Sequence, residues 1–190
     1  MTQGPHPFTA LILAGGRATR LGGIVKATLD VGGETIFERQ TRLLAPRVVE
    51  IVVATGTAKW DPSPAHRTVM DPVTGAGPLA GIAAGLAAVT TPWMLVVAGD
   101  MPDLTGELFD RIIGAASDTI DAVGIRIGAL PEPLLCALRV KAARPVVERR
   151  LAEGRLKASA LLTEDGLRVA WIDDIDPAAV RNINTPADLR

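Results

Sequence analysis

Tyrosine is absent from this 190-residue chain, and three Phe and three Trp bring the aromatic share to only 3%, although 48% of the residues are hydrophobic. A core built under that restriction rests on Ala, Val, Leu and Ile. The single cysteine, Cys136, has no partner for an internal disulfide, and the two histidines, His6 and His66, stand too far apart for metal-ligand spacing. A disulfide scaffold and a structural zinc site are thereby excluded, and a Cys-His nucleophile pair is disfavoured. There is no cationic excess either. With 20 Lys and Arg against 21 Asp and Glu, the net charge is −1, which argues against a sequence-independent grip on nucleic acid or on an acidic membrane. The longest small-residue apolar stretch, Gly77 to Val89, carries three glycines and is shorter than the ~20 residues of a membrane-spanning helix. Met1 to Pro7 lacks a basic region followed by an apolar run, so the expected address is cytoplasmic.

What is present is an alternation of short apolar runs and helical patterns. Phe8 to Ala14 reads as a buried strand that stops at Gly15-Gly16, followed by a basic, glycine-bearing loop to Lys26 and a helix around Thr35 to Leu44. Further strands are expected at Val48 to Ala54, Arg67 to Met70 and Trp93 to Ala98. Gly77-Pro78 opens a helix between the last two, with proline in the first turn where its missing N–H costs nothing. The pattern continues with a helix at Thr105 to Ala116, strands at Asp121 to Ile127 and Leu134 to Val140, a helix at Lys141 to Ala152 and a strand at Leu167 to Ile172. Thr185 caps a closing turn through Leu189. Apolar strands alternating with helices predict an α/β three-layer sandwich with a mostly parallel, Rossmann-like sheet, as a single domain over residues 1–190.

Ligands of open parallel sheets gather beyond the carboxyl ends of the strands. The polar and glycine residues at those ends are Gly15, Gly16, Arg17, Arg20, Gly22, Gly23 and Lys26 after the first strand, Asp71 after the third, and Asp100 and Asp103 after the fourth. A basic, glycine-rich loop facing acids suits a metal-bound polyphosphate. Glycines let backbone N–H groups approach phosphate oxygens, cations offset their charge, and a carboxylate holds a hard divalent ion. The loop is neither a Walker loop, since Lys26 follows Gly22 by four positions, nor a G-x-G-x-x-G fingerprint. These residues alone fit both phosphate binding and an ordinary solvated loop.

The full set of strings is more specific. Leu13-Ala14-Gly15-Gly16, Arg20-Leu21-Gly22-Gly23 and Lys26 are followed in order by Gly77-Pro78-Leu79-Ala80-Gly81, Ala98-Gly99-Asp100-Met101-Pro102 and Asn182-Ile183-Asn184-Thr185-Pro186. In this combination the chain resembles the MobA-like nucleotidyltransferases over nearly its whole length. The resemblance implies transfer of GMP from GTP to the phosphate of molybdopterin (Mo-molybdopterin), with Mg2+ as cofactor and release of pyrophosphate. It also implies residue roles. Leu13, Ala14 and Gly15 would contact base and ribose, Gly16, Arg17, Gly22 and Gly23 would wrap the phosphates, and Lys26 and Arg20 would neutralise charge. Asp100 would ligate Mg2+, Asp71 would reach the nucleoside, and Asn182 and Asn184 would meet the pterin. Transient contact with cofactor-biosynthesis or acceptor molybdoenzyme proteins belongs to the same picture.

Ordinary structural readings stand beside several of these roles. Asp71 precedes Pro72 and is as good a turn former. Asn182 and Asn184 suit a capped turn before Pro186, and Arg155 and Lys157, within reach of a pterin phosphate on the family reading, are better suited to a solvated helix face. Gly77, Pro78 and Gly81 are expected to allow close backbone packing. The chain also departs from the family pattern. Val25 stands where an acid usually precedes the loop lysine, Ala54 where guanine-specific members often place asparagine, and Glu132-Pro133 where a His-Pro pair is expected. The competing functions are therefore a cytidylyltransferase acting on the same cofactor and a weakly active carrier of nucleotide or pterin. Cys136, inside the apolar run Leu134 to Leu138, reads as a buried structural residue.

Overall fold

The computed structural model describes residues 6–15, 17–18, 24–56, 60–62, 66–71, 75–184 and 188. Strand β1 is Phe8–Leu13, and a two-stranded hairpin, β2 (Arg17–Ala18) with β3 (Ile24–Val25), follows it. Helix α1 is Ile36–Leu44, then come β4 (Glu50–Ala54), β5 (Arg67–Val69), α2 (Pro78–Ala88) and β6 (Trp93–Ala98). The chain continues through α3 (Gly106–Gly114), β7 (Ala122–Ile127), β8 (Leu130–Arg139), α4 (Val140–Ala152) and β9 (Val169–Ile172). Seven strands form one sheet in the order β5-β4-β1-β6-β8-β7-β9. All of its pairings are parallel except the two made by β8, with β6 and with β7.

Alternation within the strands sorts their side chains to the two faces. In β6, Trp93, Leu95 and Val97 join Phe37 and Leu44 of α1 and Leu108, Phe109 and Ile112 of α3. Met94 and Val96 face the other way and pack with Leu79, Ile82 and Leu86 of α2 and Val140, Ala143 and Val147 of α4. Helix, sheet and helix layers follow, as expected from the sequence. Local signals set the helix starts. Thr35 caps α1 in a reciprocal arrangement with Glu38, Thr105 caps α3, and Pro78 opens α2.

The structure differs from the sequence expectation at two places. The basic loop after β1 contains the β2–β3 hairpin, whose two-residue strands are too short to leave a periodic signal. Strand β8 begins at Leu130 rather than Leu134, running through Pro131 and Pro133. Those prolines are tolerated because β6 pairs with β8 only from Leu135 onward, so before it β8 has β7 alone as its neighbour. The other strand and helix ends move by one or two residues, the normal uncertainty of fraying termini. The turn expected at Thr185 to Leu189 lies, apart from Asp188, outside the described residues.

Past α4, the chain is secured by a fully buried ion pair between Arg150 and Asp165, with the same guanidinium donating to the carbonyls of Arg155 and Lys157. Arg155 is itself paired with Glu153, Glu164 and Asp165. These contacts give Arg155 a structural role. At the start of β7, Asp121 receives two hydrogen bonds from the Arg168 guanidinium, at 2.8 and 2.9 Å, and one from its backbone N–H. Those bonds hold the carboxyl at about 2, below its ordinary 3.8. Because the folded value is depressed, this contribution is fully present well above the ordinary 3.8, shrinks as the pH falls past it and disappears as the pH falls through about 2. Melting curves of the wild type should therefore lose stability over that window more steeply than those of Asp121→Asn, and parallel losses would contradict the assignment.

Candidate functional site

The parallel strands β4, β1 and β6 all end on one side of the sheet, and their terminal residues surround a cleft of about 340 Å³. Leu13, Ala14 and Gly15 line it at the end of β1, Ala54 and Gly56 at the end of β4, and Ala98, Gly99 and Asp100 at the end of β6. Gly77, Pro78 and Gly81 of the α2 entry, Lys26 and Ala27, Asp71, and Leu134 of β8 complete most of the wall. Small residues at the strand ends leave this space open. At one rim the backbones of Gly15 and Gly56 touch, so that a Cβ on Gly15 would lie 3.0 Å from Gly56 Cα, and Gly56 has a φ of +57°.

The charged centre lies where β1 and β6 end. Lys26 Nζ donates to Asp100 Oδ2 at 2.7 Å and to Asn184 Oδ1 at 2.6 Å. The Lys26 and Asp100 side chains are only 15% and 22% exposed, so the contact is shielded from bulk water on most sides. Lys26 is placed by the β3 strand that precedes it and by a short 3-10 turn, Lys26–Thr28, whose Ala27 is buried in the core. Asp100 sits in the turn after β6. Gly99 starts that turn by donating its N–H to the Leu13 carbonyl, an approach so close that a Cβ on Gly99 would stand 2.9 Å from that oxygen.

The C-terminal segment reaches this turn from the other side. Ile183 donates its N–H to the Asp100 carbonyl at 2.9 Å and buries its side chain with Leu29 and Ile36. Arg181 forms an ion pair with Asp103 and also donates to the Asp188 carbonyl. Asp103, a strand-end acid by sequence, thus ties down the chain terminus rather than lining the cleft.

Asp71 stands at the far side of the cleft from this pair, with its oxygens close to Gly56 and Gly81. Burial raises its carboxyl above the ordinary carboxylate value. Glu132 of β8 is raised mainly by burial as well, with a further push from the negative charge of Asp100. The Cys136 thiol is pushed up to about 12 by complete burial and by Glu132, which removes it as a nucleophile at neutral pH.

The structure therefore brings Leu13, Ala14, Gly15, Lys26, Asp71 and Asp100 together in one cleft. It sets Asn184 on Lys26, while Asn182, two residues earlier, does not line the cleft. Arg17 is placed by its backbone in β2, and Gly16, Arg20, Gly22 and Gly23 lie outside the described residues. Gly56 and Leu134 escaped the sequence reading. The strand-end rule applied past Thr55 would have found Gly56, whereas Leu134 depends on the antiparallel entry of β8. Asp100, Asn184 and the neighbouring Glu132 offer hard oxygen donors. No cluster of three or more His, Cys, Asp or Glu suited to a metal occurs among the described residues. Nor is any helix among them long and apolar enough to cross a membrane.

The model of the MobA-like NTP transferase domain matches residues 10–169. A molybdenum cofactor guanylyltransferase from Pseudomonas putida (strain GB-1) is 32% identical over 191 residues, covering 97% of this chain and 96% of that protein. A probable molybdenum cofactor guanylyltransferase from Chloroflexus aggregans is 34% identical, over 96% of this chain and 92% of its own. Among solved structures, molybdopterin-guanine dinucleotide biosynthesis protein A from Archaeoglobus fulgidus superimposes with a TM-score of 0.75 at 25% identity, covering 95% of this chain and 94% of that one.

The close approach at Gly99 gives a direct test of how the two strand ends are joined. Gly99→Ala should cost about 1–3 kcal/mol in chemical denaturation, because the contact is with backbone and cannot yield by a rotamer change. An unchanged midpoint would show that the β1 and β6 ends are free to move apart.

Proposed function

The chain belongs to the MobA-like NTP transferase family, and from that premise we propose that it joins GMP from GTP to the phosphate of molybdopterin and releases pyrophosphate. It is a nucleotidyltransferase, and the observation that carries the finer reading is the Lys26–Asp100–Asn184 contact at the mouth of a strand-end cleft. In this reaction the acceptor phosphate oxygen bonds to the α-phosphorus of GTP as the bond to the bridging oxygen breaks, and pyrophosphate leaves with the electron pair. The attacking oxygen is already anionic, so no side-chain base is required. The obstacle is bringing two anions together, and the protein's part is positioning and charge compensation.

Leu13, Ala14 and Gly15 support base and ribose, and Asp71 offers acceptor oxygens from the far side of the cleft. Lys26 turns from Asp100 to the phosphates, joined by Arg20 and by the backbone of the loop that includes Gly16, Arg17, Gly22 and Gly23. The donor set suits Mg2+. One carboxylate and one amide oxygen are too few for a protein-built cage, and Mg2+ characteristically completes its shell with phosphate oxygens and water. Asp100 and Asn184 would hold it, and when bound it supplies neutralisation of the phosphate charge. Asn182, on the segment that carries Asn184 to the lysine, would meet the acceptor, where amide groups pair with a pterin edge. The reaction is placed in the cytoplasm on this reading, with GTP and molybdopterin as small-molecule substrates and transient contact with cofactor-biosynthesis or acceptor molybdoenzyme proteins.

Purified protein supplied with Mo-molybdopterin, Mg2+ and GTP should release pyrophosphate, with CTP giving a much lower rate. A preference for CTP would make it a cytidylyltransferase, and binding without turnover would make it a carrier. Lys26→Ala should weaken GTP binding by roughly tenfold or more while changing GMP binding far less, since a charge-assisted hydrogen bond is worth about 1.5–3 kcal/mol. Equal losses in calorimetry would remove the lysine from the β and γ phosphates. Asp100→Ala should lower turnover by about 100-fold or more with an unchanged circular dichroism spectrum.

A further inference from the structure

Gln40 lies on α1 and is buried, 1% exposed. Its Nε2 donates to two backbone carbonyls, Ala98 at 2.9 Å and Met101 at 3.0 Å. These carbonyls bracket Gly99 and Asp100. The amide has only one workable orientation, because turning it over would point its oxygen at two other oxygens. Its Oε1 is buried without a hydrogen-bond partner among the described residues. Burying an unpaired amide oxygen costs stability. An apolar side chain of the same length would avoid that cost and still fill the space, so packing alone does not account for glutamine here.

The need arises from the sheet. The register of β6 with β8 stops at Val97 and Leu135, just as the strands part to open the cleft. Beyond that point Leu134 donates its N–H weakly to Glu132 Oε1, at 3.4 Å, rather than to β6. Gln40 takes up the β6 side of the opening, and its neighbour Arg39 donates to the Pro102 carbonyl at 3.1 Å. With Ile183 holding the Asp100 carbonyl, the backbone oxygens of Ala98, Asp100, Met101 and Pro102 are all fastened, leaving the Asp100 carboxylate directed at Lys26.

We propose that Gln40 is the positioning residue of the Asp100 turn, its carboxamide clamping the carbonyls on either side so that the carboxylate is presented to the cation-binding side of the cleft. The assignment rests on the reading of Asp100 as a metal ligand. Gln40 touches neither substrate nor metal and acts through the turn.

The test compares wild type, Gln40→Met and Asp100→Asn as full chains. Mn2+ binding in the presence of GTP is followed by the electron paramagnetic resonance of free Mn2+, and pyrophosphate release is titrated with Mg2+. Gln40→Met keeps the length and removes the donors. It should weaken Mn2+ binding by about tenfold and raise the Mg2+ concentration for half-maximal turnover to match, with kcat at saturating Mg2+ nearly retained. GTP binding without metal should stay within about twofold, since the expected change is confined to the turn. A purely structural glutamine would lower the melting temperature and the active fraction without moving the metal midpoint, and that result overturns the proposal. If Gln40→Met does not fold, Gln40→Asn, whose amide is one methylene short of both carbonyls, should show the same shift, and its absence likewise overturns the proposal. Full Mn2+ binding by Asp100→Asn would instead overturn the reading of the site itself, and this assignment with it.

Discussion

A lysine ammonium and an aspartate carboxylate, 74 positions apart in the chain, meet at 2.7 Å where two neighbouring parallel strands end. Each is mostly withdrawn from water, so neither is comfortable as a lone charge, and each is compensated by the other. On the proposed reading this pairing is the resting state of a site made to receive two opposite charges at once. Phosphate oxygens would take the place of the carboxylate on Lys26, and Asp100 would then be free to hold a divalent cation, so that neither side chain is left as an unpaired charge. Asn184, whose amide oxygen already faces Lys26, couples the C-terminal segment to the same exchange.

The surroundings hold that pair in place by backbone contacts more than by bulk. Gly99 lets the ends of β1 and β6 approach within van der Waals limits, and Ile183 anchors the terminal segment in a small apolar cluster with Leu29 and Ile36. The poverty of aromatics has a counterpart here. Ala14, Ala54, Ala98 and Gly56 stand where larger side chains would fill the cleft. The space is created by β8 leaving β6 at Leu135, and the exposed ladder end is managed by Gln40 on one side and Glu132 on the other.

Much of the layer order was legible because the strands are apolar on both faces. A run such as Trp93 to Ala98, with all six residues buried, fits only the interior of a sheet covered by helices on each side. Gly15, Lys26, Asp71 and Asp100 were legible through the strand-end rule and the family resemblance together. Three features were not. The antiparallel course of β8 leaves no mark in its own residues, since the apolar content of a buried strand does not encode its direction. Its early start runs through Pro131 and Pro133, which a strand admits where it pairs on one side alone. Gln40 was also silent, because a single polar residue on a helix face gives no sign of whether it meets solvent or a carbonyl in the core.

The amino-acid order by itself determined the succession of elements, the helix caps at Thr35 and Thr105, and the chemical types available at each strand end. These are local matters, governed by periodicity and by hydrogen bonds spanning a few residues. Only the folded arrangement decided which of those groups face one another: that Asn184 reaches Lys26, that Asp103 serves Arg181 rather than the cleft, and that Gln40 grips the turn bearing Asp100. Such contacts depend on strand order and direction, which arise from how distant segments bury their apolar faces together, and no short stretch of sequence contains that information.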